Sequence, residues 1–260
     1  MKVKIIDDIS QLVKIKNSWK QLFYSTNSYD IYQHPNWHIS WWKSFSKNKK
    51  MFIICLFIKD ELVGVLPLAI YRGGLKDVWL KILSFSGGIQ SDRNNYILSP
   101  LYLNKGIKFF RKEIEKLLFQ VDIVYMHSIP EMSKLIDMNF LSNKTHHTIN
   151  HVLPYLDLSN TNYEAIKKTW KPSHRGDINR QKRRLDKLGK LTFRLYDINN
   201  FDQDKLIENF LKVHSIRWKK RYDKNYNEIK RFYKNLITLF KDEDIIHFST
   251  LNIDNIIISS

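Results

Sequence analysis

The sequence predicts an α/β protein of the α+β kind, in which mixed, mostly antiparallel sheets are flanked by helices. Some segments carry apolar residues at every third or fourth position, as amphipathic helices do, and others are short apolar runs bounded by turn residues, as buried strands are. Two helices followed by a strand hairpin occur twice along the chain. With 260 residues, 43% of them hydrophobic, the chain is long enough for two domains and too apolar to be disordered.

Two helices open the first half of the chain. Residues 9–23 are apolar at a spacing of three to four, which predicts an amphipathic helix. The second helix starts at Pro35, a residue that the first helical turn accepts, and carries an aromatic face. That face consists of Trp37, Trp41, Trp42 and Phe45.

A hairpin and a third strand follow. Residues 52–58 and 62–70 are strand-like runs, and the polar residues between them are typical of a hairpin turn. A third strand at residues 78–85 leads into a polar loop that contains Gly87 and Gly88. A helix at residues 107–119 and a strand at residues 121–127 complete this half.

The second half repeats the opening of that order. We predict strands at residues 151–158 and 191–196, with a helix over residues 163–188 that is interrupted at Pro172 and restarts with Ser173 as N-cap. Within this helix, Ile178, Leu185 and Leu188 are expected on the buried stripe. Two more helices and a hairpin follow, at residues 204–220, 229–240, 245–251 and 256–260. The predicted domains are residues 1–150 and 151–260.

The second half stops inside its hairpin, whereas the first continues for about sixty residues beyond its own. A sheet that ends there leaves an apolar strand at an open edge, which soluble proteins avoid. We therefore expect the sequence to be incomplete at its C-terminus and the second domain to be a partial one. Dimerisation that closes the edge is the alternative.

Most of the formal net charge of +17 lies in two segments. Residues 167–194 hold eleven Lys or Arg against two Asp, and residues 212–234 hold nine against one Asp and one Glu. Three explanations are open: solvated helix faces, a phosphate-bearing small ligand such as a CoA-type cofactor or a nucleotide-linked sugar, and nucleic acid or an anionic membrane.

The rest of the composition points to a cytoplasmic protein. The N-terminus reaches acidic residues before a signal-peptide core could form, and no apolar run approaches the roughly 18 residues of a membrane span. The single cysteine, Cys55, lies in an apolar run, so we predict a buried thiol in a reducing compartment. His146 and His147 lack further ligands at metal-binding spacing, and no metal site is predicted.

Several short motifs, in this order, carry a family resemblance. They are Tyr32-Gln-His-Pro-Asn-Trp37, Leu62-Val-Gly-Val-Leu-Pro-Leu68, Arg72-Gly73-Gly74, Ser173-His174-Arg175, Asn179-Arg180-Gln-Lys-Arg183-Arg184-Leu185 and His214-Ser-Ile-Arg217-Trp218. Together they resemble the acetyltransferases of the CelD and BioF2-like type, which belong to the GNAT superfamily and are related to the FemABX peptidyltransferases. The resemblance covers nearly the whole chain.

The resemblance implies two GNAT-like halves in tandem and acyl transfer from acetyl-CoA or another acyl-CoA to a small-molecule amine, often an amino sugar in surface-polysaccharide biosynthesis. It also implies that a helix N-terminus after an Arg/Gln-x-x-Gly-x-Gly/Ala loop holds the pyrophosphate. None of the eight glycines lies in such an arrangement. We therefore expect the cofactor site to lie beyond Ser260, and the chain alone to be inactive.

The candidate site residues follow from charge and from the resemblance. Arg175, Arg180, Arg183 and Arg184 are predicted to line a cleft between the halves and to bind phosphate or carboxylate, with a solvated face as the alternative. His214 is a candidate base, although a helical His is often only hydrogen-bonded. The predicted substrate-binding residues are Asp92, Asn94, Arg175, Arg180, Arg183, Arg217 and Trp218. The alternative functions are a FemABX-like aminoacyl transferase that uses tRNA and a basic nucleic-acid-binding module.

Overall fold

The computed structural model describes residues 1–26, 30–74, 78–137, 146, 148–149, 152, 156–197, 201–222, 225–243 and 245–259, with the side chains of residues 217–222 outside that description. The chain forms two compact units. Unit 1 comprises Met1–His147 and Asn227–Phe240, and unit 2 comprises Thr148–Tyr226 and Lys241–Ser260. Both units combine helices with mostly antiparallel strands, so the predicted α+β class is confirmed.

Unit 1 begins with a strand that the sequence analysis missed, β1 (Lys2–Ile6). Helices α1 (Ile9–Lys14) and α2 (Lys16–Ser25) replace the single predicted helix. Helix α3 starts as predicted at Pro35. The remaining elements of the unit are α3 (Pro35–Phe45), β2 (Lys49–Ile58), β3 (Glu61–Gly73), β4 (Leu80–Phe85), β5 (Ile97–Leu98), α4 (Leu103–Leu117) and β6 (Ile123–Tyr125).

The described strands of unit 1 form one sheet in the order β1-β2-β3-β4-β6, and β5 pairs with β3. Neighbouring strands are antiparallel except β4 and β6, which run parallel through Ile82–Ser84 and Ile123–Tyr125. The predicted hairpin between β2 and β3 is confirmed, and its turn residue Lys59 has a φ of 53°. On the face of the sheet that α4 covers, Leu68, Phe85 and Phe110 belong to one buried cluster.

Helix α8 (Tyr226–Phe240) comes late in the chain but packs mainly on α3 of unit 1. The rings of Phe232 and Trp37 meet edge to face, with their centroids 5.0 Å apart. The side-chain amide of Asn36 donates a hydrogen bond of 2.8 Å to the carbonyl of Leu239, and Asn235 Nδ2 donates one of 3.1 Å to Ser44 Oγ. The apolar stripe that the sequence predicts on α8 therefore has α3 as its partner.

Unit 2 has a three-stranded antiparallel sheet in the order β7-β8-β9. Its strands are β7 (Leu191–Tyr196), β8 (Phe248–Ile253) and β9 (Ile256–Ser259), and its helices are α5 (Tyr163–Thr169), α6 (Pro172–Asp186) and α7 (Gln203–Tyr222). The hairpin of β8 and β9 is confirmed, with Asp254 of its turn at a φ of 52°. Half of the predicted strand at residues 151–158 lies outside the described residues, and the described residues 152 and 156–158 are not in a strand.

Two details predicted for α6 are wrong. Pro172 takes the first position of the helix and Lys171 precedes it as N-cap, so Ser173 is a helical residue and not a cap. The expected buried stripe is absent from the described helix, because Ile178 is 37% exposed and the neighbouring Leu188 is 70% exposed. The spacing of these apolar residues suits a helix face, but the described structure buries no residue of α6.

Candidate functional site

The loop after β4 is built on two glycines and on α3. Gly87 has a φ of 109°, and a Cβ atom there would lie 2.3 Å from Ser91 Oγ, so the close turn requires glycine. Ser91 Oγ accepts a hydrogen bond of 2.9 Å from the indole nitrogen of Trp37. Gln90 accepts another of 3.1 Å from the indole of Trp41. The aromatic face of α3 therefore fixes the loop that carries two of the predicted site residues.

Asp92 is exposed and accepts a hydrogen bond of 2.7 Å from the hydroxyl group of Tyr32. Burial, and then the nearby Asp92 carboxylate, raise the pKa of Tyr32 well above its usual value, so this phenol remains a donor. Arg93 pairs with Asp30 at 3.0 Å, and burial raises the pKa of Asp30 although Arg93 opposes the shift. The loop thus presents a carboxylate at the surface, held by a neutral phenol.

Asn94 is only 4% exposed and bridges the loop to the chain that follows β6. Its backbone N–H donates a hydrogen bond of 2.9 Å to the carbonyl of Ser128. Its side-chain amide lies 3.4 Å from the carbonyl oxygen and from the ring nitrogen Nδ1 of His127, and burial lowers the pKa of that imidazole. The structure therefore places Asn94 where it holds the loop in position, with Asp92 as the accessible group.

The predicted arginines lie on α6 of unit 2, which buries none of its residues. Arg175 is half-buried, Arg180 pairs with Asp177, and Arg183 Nε donates a hydrogen bond of 3.4 Å to the carbonyl of Asn179. Because the helix is continuous from Arg175 to Arg183, these two residues are separated by about 80° around its axis and about 12 Å along it. One elongated anionic ligand can touch both.

Three rings lie together at the start of α6. Tyr163 and Trp170 pack edge to face with centroids 6.0 Å apart, and Trp170 packs in the same way on His174 at 5.1 Å. The sequence analysis missed this cluster, because Trp170 lies at the extended junction between α5 and α6, where no helical period applies. It places flat apolar surface beside the basic residues of α6.

The remaining predicted residues lie on α7 of unit 2. The ring of His214 is half-buried, and its centroid is 5.0 Å from that of Phe210. Arg217 and Trp218 follow on the same helix, but their side chains lie outside the described residues. Asp92 and Asn94 thus belong to unit 1, and the other predicted site residues belong to unit 2.

Two glycine-containing segments of unit 1 do not form the pyrophosphate cradle that the family resemblance implies. After β4, the N–H groups of Gln90 and Ser91 already donate to the carbonyls of Gly87 and Gly88. Near the start of α4, the side chain of Leu98 lies so close to Gly106 that a Cβ atom there would be 2.6 Å away. Both places are therefore filled by the chain itself.

Part of the chain matches a known protein family. Residues 172–260 match a family model described as an acetyltransferase (GNAT) domain, and the match begins where α6 begins. No curated protein and no solved structure matches the chain significantly. The two sheets flanked by helices are consistent with a GNAT-like α+β fold. None of the described helices is long and apolar enough to cross a membrane.

A GNAT domain indicates acyl-CoA-dependent N-acyltransferase activity, because such domains in general use acetyl-CoA or another acyl-CoA together with an amine acceptor. The matched segment contains the predicted arginines of α6 and also His214, Arg217 and Trp218. Asp92 and Asn94 lie outside it.

Proposed function

We propose that this protein is an acyl-CoA-dependent N-acyltransferase of the CelD and BioF2-like type, related to the FemABX transferases. Its acceptor is an amine such as an amino sugar, and its place is surface-polysaccharide biosynthesis. The observation that carries the proposal is the acetyltransferase match over residues 172–260. In this proposal the glycine-containing segments of unit 1 do not hold the cofactor.

The order of the elements supports tandem GNAT-like halves at residues 1–150 and 151–260. In unit 1 the order is β1, three helices and the β2–β3 hairpin, with β1 beside β2 in the sheet. Along the second half the order is β7, two helices and the β8–β9 hairpin, with β7 beside β8. The same antiparallel arrangement of three strands therefore occurs twice.

In this proposal α6 binds the acceptor. A nucleotide-linked or acidic sugar carries phosphate or carboxylate groups, which the guanidinium groups of Arg175 and Arg183 can hold through paired, charge-assisted hydrogen bonds. The amine must lose a proton before it can attack, and an imidazole is suited to accept it near neutral pH. His214, which lies in unit 2 as α6 does, is our candidate for that base.

The test uses the whole protein with acetyl-CoA and an added amino sugar. We expect release of the CoA thiol from acetyl-CoA that depends on an added amino sugar, with mass spectrometry identifying the amide. No binding and no turnover of any acyl-CoA, in a protein whose circular dichroism spectrum shows it to be folded, contradicts the proposal.

Arginine variants test the role of α6. Arg175→Ala and Arg183→Ala should each leave stability within about 0.5 kcal/mol and weaken acceptor binding by about tenfold, the loss of one charge-assisted hydrogen bond. Arg194→Ala is the matched control, because Arg194 is an exposed arginine on β7 of the same unit. If acceptor affinity is unchanged in both α6 variants, these arginines do not bind the acceptor and belong only to a solvated helix face.

A second candidate function is binding of nucleic acid, including the tRNA of a FemABX-like aminoacyl transferase. The ring cluster of Tyr163, Trp170 and His174 beside the basic α6 favours it, because bases stack on such rings while cations contact phosphates. Several phosphate contacts would give a steep fall of log affinity with log salt concentration, and Trp170→Ala would weaken binding. A shallow slope and an unaffected variant exclude this function.

A further inference from the structure

Three large apolar side chains are exposed at one end of unit 1. They are Val78, Trp79 and Phe119, with exposed fractions of 60%, 70% and 96%. Val78 and Trp79 directly precede β4, and Phe119 follows the last turn of α4. We call these three residues the apolar tip. The proposed acyl transfer uses none of them.

Hydrogen bonds bring the two segments of the apolar tip together. The N–H of Lys81 donates to the carboxylate of Asp122 at 2.6 Å, and the N–H of Asp122 donates to the carbonyl of Lys81 at 2.8 Å. Trp79 lies two residues before Lys81, and Phe119 lies three residues before Asp122. Both apolar residues are therefore tied to the same end of the sheet.

The backbone also fixes Val78. A Cβ atom on Gly74 would lie 1.6 Å from the carbonyl oxygen of Val78. The chain that leaves β3 and the chain that enters β4 therefore approach more closely than any residue other than glycine allows. Counting back along β4 from the buried Leu83 places Lys81 on the face of the sheet that α4 covers, and α4 ends next to Phe119.

Cations surround the apolar tip. Arg72 on β3 is the cross-strand partner of Lys81, and both side chains are exposed. Lys112 and Lys116 lie seven and three residues before Phe119, on the same side of α4. The described acidic groups nearby are Glu113, which pairs with Lys116 at 2.6 Å, Glu115, which pairs with Arg111 at 2.8 Å, and Asp122, whose carboxylate accepts the bond from Lys81. Among these described residues five cations face three carboxylates.

Exposed aromatic rings framed by Lys and Arg are the combination that binds to anionic membrane surfaces. Tryptophan is enriched at the membrane–water interface, where its ring enters the apolar layer while its N–H stays hydrated. Juxtaposed Lys and Arg are attracted to anionic headgroups. We propose that the apolar tip docks this protein peripherally on an anionic lipid bilayer, with Trp79 and Phe119 inserted and the surrounding cations on the headgroups.

The experiment measures co-flotation of the whole protein with vesicles. We expect binding to vesicles of phosphatidylcholine with about one third phosphatidylglycerol, weaker binding to pure phosphatidylcholine, and a decrease as salt rises. The double variant Trp79→Ser and Phe119→Ser should bind at least about tenfold more weakly, since each removes a ring from the bilayer. Because both side chains are exposed, the melting temperature should not change.

The matched control is the double variant Leu101→Ser and Met132→Ser, which removes two apolar side chains of unit 1 that are 86% and 91% exposed. It should bind vesicles as the unaltered protein does. Equal losses in both double variants, or equal binding to both kinds of vesicle, overturn the proposal. The proposal is also overturned if the protein does not bind vesicles but forms a dimer in solution that the Trp79 and Phe119 substitutions dissociate. The apolar tip would then be a contact between two copies of the chain.

Discussion

Acidification should destabilise unit 1 through one buried histidine. His38 on α3 is 1% exposed, stacks on Trp19 with ring centroids 5.1 Å apart, and has its Nδ1 atom 3.1 Å from Ser86 Oγ. The pKa of His38 is lowered to about 3, mainly by burial and to a lesser extent by the neighbouring His34, while a hydrogen bond with the backbone of Tyr32 opposes the shift. The native state therefore holds this imidazole neutral.

The sign and size of the effect follow from proton linkage. Below its ordinary pKa of about 6.5, His38 is protonated in the unfolded chain but not in the folded one, so stability falls as the pH falls. Between pH 7.5 and pH 5.0 the difference in proton binding lowers the free energy of unfolding by roughly 2 kcal/mol. This magnitude does not depend on the exact native value, because pH 5.0 lies well above 3.

Urea unfolding at the two pH values, followed by tryptophan fluorescence, measures the loss. The variant His38→Gln removes the titrating group, so its stability should fall by about 2 kcal/mol less than that of the unaltered protein. Should that variant fail to fold, NMR of the His38 ring protons in the unaltered protein gives the same information. A ring that titrates near pH 6, or a variant with the same acid loss as the unaltered protein, refutes the reasoning.

Three further predictions concern the stability of unit 1 and α6 and the accessibility of the Cys55 thiol. Phe110→Ala should cost about 3–5 kcal/mol in urea unfolding, because the ring is fully buried between α4 and the sheet, and a loss below about 1 kcal/mol would contradict that packing. Gly87→Ala should lower the melting temperature, because Gly87 has a φ of 109°. Gly176→Ala should instead raise the free energy of unfolding by up to about 1 kcal/mol, because nothing lies within 4 Å of the added Cβ atom. Burial raises the pKa of the Cys55 thiol, so a thiol reagent should modify it only after denaturation, and rapid labelling of the folded protein would refute its burial.

The sequence predicts best those structural features that depend on a few neighbouring residues. Helix α3 begins at Pro35 and the β2–β3 turn falls at Lys59, because proline position and turn chemistry act over a few residues. Strand β1 was open to prediction as well, since Lys2 and Lys4 alternate with Val3 and Ile5. Strand β5 was not, because two residues carry no period and its place is set by pairing with β3.

The sequence pattern does not indicate which distant elements of the chain pack against each other. The apolar stripe of α8 predicts a buried helix face, and Phe232 and Phe240 are buried, but nothing in the pattern indicates α3 as the partner. The bond between Tyr32 and Asp92 joins residues sixty positions apart for the same reason. Asp92 could be proposed from its place after a strand, whereas the phenol that holds it could be identified only from the fold.

The exposure of α6 bears on why its arginines are there. Helix stability does not require Arg175 or Arg183, since no residue of α6 is buried, and one ion pair, between Arg180 and Asp177, is worth little at the surface. The positive charges clustered on this helix repel one another, and this repulsion does not stabilise the fold. A bound anion would turn that repulsion into attraction, so substitution of these arginines should reveal ligand binding with little interference from unfolding.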